Sequence, residues 1–111
     1  MPPRKKRLTL QVNVRTINAV EVSFDPAKSE RNVRERGLSF ERAAEFDFET
    51  AVYRLDVRRE YGECRIGALG LLDGRVHALV FVETAAGIRV ISFRKANTRE
   101  VRRYEHEAPQ S

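Results

Sequence analysis

Tryptophan is missing from the sequence, methionine and cysteine occur once each, and histidine only twice. With Cys64 alone, neither an internal disulfide nor a cysteine-rich zinc site can form, and two histidines would need carboxylates beside them to hold a metal. No metal and no cofactor is expected. No apolar run approaches the roughly 20 residues that a membrane span requires. The opening MPPRKKRLTLQ lacks the apolar stretch and small-residue cleavage site of a signal peptide, so a cytoplasmic location is the expectation. A chain of 111 residues has room for one modest core. The expected organisation is a basic N-terminal extension over 1–19 ahead of a single domain over 20–107.

Charge is present in quantity but spread unevenly. Of the net +5, all is accounted for by five cations in the first 19 residues, Arg4, Lys5, Lys6, Arg7 and Arg15, with no carboxylate among them. Beyond these, residues 20–53 sum to −3, residues 54–103 to +5, and the last eight to −2. The densest stretch is RVISFRKANTREVRRYEHE at 89–107, with six cations: Arg89, Arg94, Lys95, Arg99, Arg102 and Arg103. A surface polarised in this way suits a polyanion on one side, although a plain solvated surface accounts for the same numbers.

Along the chain, LTLQVNVRTI alternates like an edge strand, and VEVSF at 20–24 does so more clearly. Asp25 as N-cap, Pro26 at the first helical position and Gly37 as a left-handed stop predict a helix over 26–36. Ser39 caps a second, short helix over 40–46, with Leu38 stapled onto Ala43. The pattern then changes to strands: TAVYRLDV, CRIGALGLL, RVHALVFVE and IRVISFR. Asp73-Gly74 is a two-residue hairpin turn between the second and third of these. The runs 79–82 and 88–93 are apolar on both faces and belong in the middle of the sheet. Asn97 and Glu100 form a capping-box pair that opens a helix over 98–106. The fold class is α+β: a strand, two helices, an antiparallel meander and a C-terminal helix.

Three segments, FDPAKSERNVRERGLSFERAAEF, REYGECRIGALGLLDGRVHALVF and IRVISFRKANTREVRRYE, resemble the BrnT family of type II toxins, in the family's order and over about residues 22–105. The matching positions are Asp25, Pro26, Lys28 and Asn32; then Tyr61, Gly62, Glu63 and Arg65; then Arg89, Ile91, Ser92, Arg94 and Ala96. The family commonly carries His-Gly at the end of its first helix, where this chain has Arg36-Gly37. The resemblance implies a RelE-like fold and an endoribonuclease that blocks translation. It also implies a BrnA-like antitoxin as inhibitory partner in a hetero-oligomer.

RNA can be cleaved without a metal because its own 2′-hydroxyl attacks the adjacent phosphate. The protein must then orient that hydroxyl and stabilise the phosphorane. Arginine suits the second task, since its guanidinium stays charged and grips two phosphate oxygens together. Arg65, Arg89 and Arg94 sit on strands that a meander can set side by side, and are the candidate catalytic cations. Glu63, in the loop beside Arg65, is either the general base or that arginine's salt-bridge partner. Lys95, Arg99, Arg102 and Arg103 are the candidate RNA-backbone contacts. The plainer alternative makes Lys95 a turn residue and pairs Arg99 and Arg103 with carboxylates such as Glu107. His77, alone in a strand, reads first as a packed, hydrogen-bonded side chain. His106 reads as solvated, Tyr104 as core, and Cys64 as a small packed apolar residue. A catalytically inactive RNA- or protein-binding module of the same fold is the alternative function.

Overall fold

The computed structural model describes residues 21–58 and 63–108. In chain order it contains β1 (Glu21–Ser23), α1 (Pro26–Arg36), a 3₁₀ helix (Phe40–Glu45), β2 (Val52–Arg58), β3 (Glu63–Leu72), β4 (Arg75–Glu83), β5 (Gly87–Lys95) and α2 (Thr98–Glu107). The strand expected over 8–17, the 1–19 extension and the Tyr61-Gly62 part of the motif lie outside the described residues. No described helix is long and apolar enough to cross a membrane.

Local chemistry sets the element ends. The Asp25 side chain accepts from Ala27 N, and Gly37, at φ 70°, stops α1 with its N–H on Val33 O. Asp73 and Gly74 both adopt positive φ, 53° and 73°, as a two-residue turn matched to the strand twist requires. The second helix is a 3₁₀ segment and ends at Glu45 rather than 46. Ser39 still caps it, and Leu38 and Ala43 are buried in one cluster.

The sheet order is β1-β5-β4-β3-β2. β2 to β5 form the expected antiparallel meander, whereas β1 joins the far side of β5 in parallel. Helix α1 and the 3₁₀ segment carry the chain from β1 at one edge to β2 at the other, and the meander returns it to β5. β4 is therefore central, and β5 is internal over Gly87–Arg89 and an open edge beyond.

Side-chain alternation divides the core between the two faces. One face carries Ala68, Leu72, Leu79, Phe81, Val90 and Phe93, covered by Leu38, Phe40, Ala43 and Phe46. On the other, Leu69, Val76 and Ala78 meet Ala96, Val101 and Tyr104 from α2 and its approach. α2 thus covers only the end of this second face nearest the Asp73-Gly74 turn. Two polar side chains fasten α1, half-buried Asn32 and buried Ser29. Asn32 Nδ2 donates to Leu38 O at 2.9 Å and to Phe93 O at 2.8 Å, and Ser29 Oγ accepts from Phe40 N at 3.0 Å.

Candidate nucleic-acid interface

Register decides which cations meet. Ser23 lies opposite Arg89, Arg89 opposite Val82, and Arg65 opposite Asp56. Extending the Ile66–Phe81 pairing by one residue sets Arg65 opposite Val82. Arg65 and Arg89 therefore flank Val82 in one cross-strand row, two strand spacings or roughly 10 Å apart at their Cα atoms. Directly opposed residues project to the same face, and this is the face that α2 covers only in part. Arg54, opposite Gly67, shares it by alternation and is exposed.

Arg94 projects from the same face further along β5, opposite Ala78. It is engaged differently. Its two terminal nitrogens hold the two carboxylate oxygens of Glu100 at 2.8 and 2.9 Å. Glu100 also accepts from Asn97 N at 2.9 Å, completing the capping box of α2. The arginine fork, with the cap amide assisting, lowers the Glu100 carboxyl to about 2, and the same bond raises the Arg94 guanidinium. A phosphate at Arg94 would have to share this fork.

The helix cations separate by exposure. Arg99 and Arg102 are exposed, while Arg103 is half-buried and its Nε is buried with no hydrogen-bond partner among the described residues. The alternative pairing with Glu107 does not occur, since the described ion pairs include neither Arg99 nor Arg103. Glu63 opens β3 instead of lying in a loop; its side chain lies outside the described residues, as does Tyr61. Cys64 corrects an expectation: it is exposed rather than packed, because β3 pairs there with the last turnward residues of edge strand β2. Tyr104 packs on its core cluster and His106 is exposed, as expected.

Two basic concavities escaped sequence reasoning. A cleft of about 310 Å³ runs between α1 and the open edge of β5, lined by Lys28, Arg31, Asn32, Arg36, Ser92 and Arg94. Beyond it, a cavity of about 440 Å³ is bounded by Arg36, Arg42, Asp73, Arg75, His77 and Lys95. Arg36 lines both, so the two adjoin there, and basic side chains mark a path from Arg94 toward His77. The missed signal was small: Arg31, Arg36 and Arg75 each look like an ordinary solvated cation until β5 and the hairpin bring them together. Arg42 is already committed, to Glu45 at 2.8 Å and Asp73 at 2.9 Å, and these bonds raise its guanidinium.

Comparison with known proteins bears on the family and the fold. The family model for the ribonuclease toxin BrnT of type II toxin-antitoxin systems matches residues 24–100. Among solved structures, the chain is similar to the 1.1 Å crystal structure of the Brucella abortus ribonuclease toxin BrnT. The TM-score is 0.56 at 23% identity, and the match covers 72% of this chain and 100% of that one. At this identity the structural likeness speaks to the fold alone. None of the curated protein sequences compared with the chain matches it significantly. The family match spans most of the chain, and the chain belongs to the BrnT family of ribonuclease toxins of type II toxin-antitoxin systems.

Proposed function

We propose that this protein is a metal-independent endoribonuclease of RelE-like architecture that acts in the cytoplasm, cleaves RNA, inhibits translation and is silenced by a BrnA-like antitoxin. The observation that carries the reading is the Arg65–Val82–Arg89 row, two cations on rigid strands of a half-covered face. Cations fixed in this way hold their charge where the phosphorane develops its own and need no rearrangement at the moment of reaction. Arg65 and Arg89 stabilise the transition state, and Glu63, two residues from Arg65, takes the proton of the attacking 2′-hydroxyl. Arg94 supports the same face while anchored by Glu100. Lys95, Arg99, Arg102 and Arg103 supply backbone contacts.

Incubation of purified protein with RNA in excess EDTA tests the reading. Cleavage that persists, and that added antitoxin suppresses, is expected; cleavage abolished by EDTA and restored by a divalent cation would overturn metal independence. The engagement of Arg94 by Glu100 favours a second reading, a binding module that does not cut. Its signature is tight binding with the RNA left intact.

A further inference from the structure

His77 is the one histidine of the central strand, and its surroundings are not those of a simple core residue. It is 5% exposed, packs its ring near Phe93 at a centroid distance of 5.7 Å, and brings Nδ1 to 2.8 Å from Arg75 O. A carbonyl oxygen can only accept, so Nδ1 carries the hydrogen. In the neutral ring Nε2 is then an acceptor, and it makes no hydrogen bond among the described residues. It is not among the buried unpartnered atoms, so it stays open to a donor that enters the space His77 lines.

The cavity that His77 lines is the 440 Å³ space beyond the α1–β5 cleft. Around it stand Arg36, Arg75 and Lys95, all exposed and none in an ion pair among the described residues. Two features oppose an anion there, the carbonyl end of α1 and the Asp73 carboxylate. Asp73 is held by Arg42 at 2.9 Å, and a helix end carries only about half a charge. The three cations outweigh both. Their charge suits a phosphate, while the Nε2 acceptor suits a hydroxyl donor beside it.

We propose that this cavity takes a ribonucleotide unit of an RNA strand, with its phosphate held by Arg36, Arg75 and Lys95 and its 2′-hydroxyl donating to Nε2 of His77. The inference rests on reading RNA as the substrate. It adds a subsite on the opposite face of the sheet from the Arg65–Arg89 row, joined to Arg94 by the basic cleft through Arg36. Because the 2′-hydroxyl is what distinguishes RNA from DNA at such a site, the cavity acts as a selector for ribose. A strand that follows the path crosses the open edge of β5, where no β-partner stands in its way among the described residues.

The test is a titration of the full chain followed through the His77 ring resonances by NMR, with adenosine 3′-monophosphate, its 2′-deoxy counterpart and inorganic phosphate as probes. The ribonucleotide should move the His77 signals saturably. The deoxy compound should bind roughly fivefold more weakly, as loss of one hydrogen bond implies, and Arg36→Ala or Arg75→Ala should weaken both nucleotides alike. Silent His77 resonances, equal affinity for the two nucleotides, or inorganic phosphate binding as tightly as the ribonucleotide would overturn the proposal. RNA cleavage by the same preparation is scored separately. Cleavage with a silent His77 would sink the subsite and spare the ribonuclease reading, and saturable ribonucleotide binding without cleavage would do the reverse.

Discussion

Arg94 and Glu100 form a two-pronged ion pair, 2.8 and 2.9 Å, that ties the end of β5 to the first turn of α2. The same carboxylate caps the helix through Asn97 N. The anchoring of Arg94 and the initiation of α2 therefore depend on a single side chain.

Stability should respond to that coupling. Glu100→Ala removes the cap bond and leaves Arg94 without its partner, so a loss of about 1–2 kcal/mol is expected by thermal or urea unfolding. Arg94→Ala should cost less, since Glu100 keeps its bond to Asn97 N. The acid profile carries a sign. The folded Glu100 carboxyl at about 2 lies below its ordinary value of 4.5, so its contribution is complete above about 4.5 and disappears as pH falls toward 2. Arg94 is partly exposed, so solvent screening keeps the effect small. An unfolding series between pH 5 and 2 in which wild type and Glu100→Ala lose stability in parallel would show that the pair does not matter.

Arg65→Ala and Arg89→Ala should each reduce RNA cleavage by roughly 10²–10³-fold, the usual cost of removing one preorganised charge donor. Melting temperatures should fall modestly, more for Arg65, whose Nε is buried, than for half-buried Arg89. Lysine at either position should restore activity partly, as it keeps the charge and loses the fork. Growth arrest on expression is the cellular readout. Two soluble, fully toxic alanine variants would take this row out of the reaction.

Much of this arrangement was legible beforehand, and the failures have physical causes. Asp25, Pro26 and Gly37 set α1 to the residue because caps are local. β4 and the Asp73-Gly74 turn followed from a run apolar on both faces and one dipeptide. The parallel pairing of β1 with β5 was not legible, since three residues carry no sign of strand direction and the crossover alone decides it. Asn97 and Glu100 were readable as a capping box. Arg94 as a further partner of that carboxylate was not, because the turn between β5 and α2 creates the contact. Arg36, Arg75 and His77 come from three separate stretches, so only the fold shows that they share a cavity.

Gly70 provides a test of the packing that holds α1 and the 3₁₀ helix on the sheet. A Cβ there would stand 2.5 Å from Phe46 Cζ and 3.0 Å from Asp47 O, so the ring and the following backbone must both give way. Phe46 is 4% exposed and stacks edge-on with Phe48 and Phe93, which leaves it little room. Gly70→Ala should destabilise the protein by about 1–3 kcal/mol through overpacking. Gly67→Ala, whose Cβ would meet only Arg54 O at 3.7 Å, is the control and should be nearly neutral. Equal unfolding midpoints for the two would contradict the close approach at Gly70.

RNA affinity should distinguish the helix cations by exposure. Arg99 and Arg102 can reach phosphates with little rearrangement, and each contact to single-stranded RNA adds about 0.7 to the slope of log affinity against log salt. Arg99→Ala and Arg102→Ala should each flatten that slope by about this amount and weaken all sequences equally. Arg103→Ala should alter the slope less, because its Nε is buried and Glu100 stands close enough to feel its charge. The antitoxin provides the complementary measurement. If it silences the protein by covering these cations, its association rate should fall as salt rises, since screening shortens the reach of charge to about 8 Å at physiological ionic strength, and bound RNA should exclude it. An association rate that stays flat with salt, or a stable ternary complex of protein, RNA and antitoxin, would place inhibition away from α2 and leave the basic path to RNA.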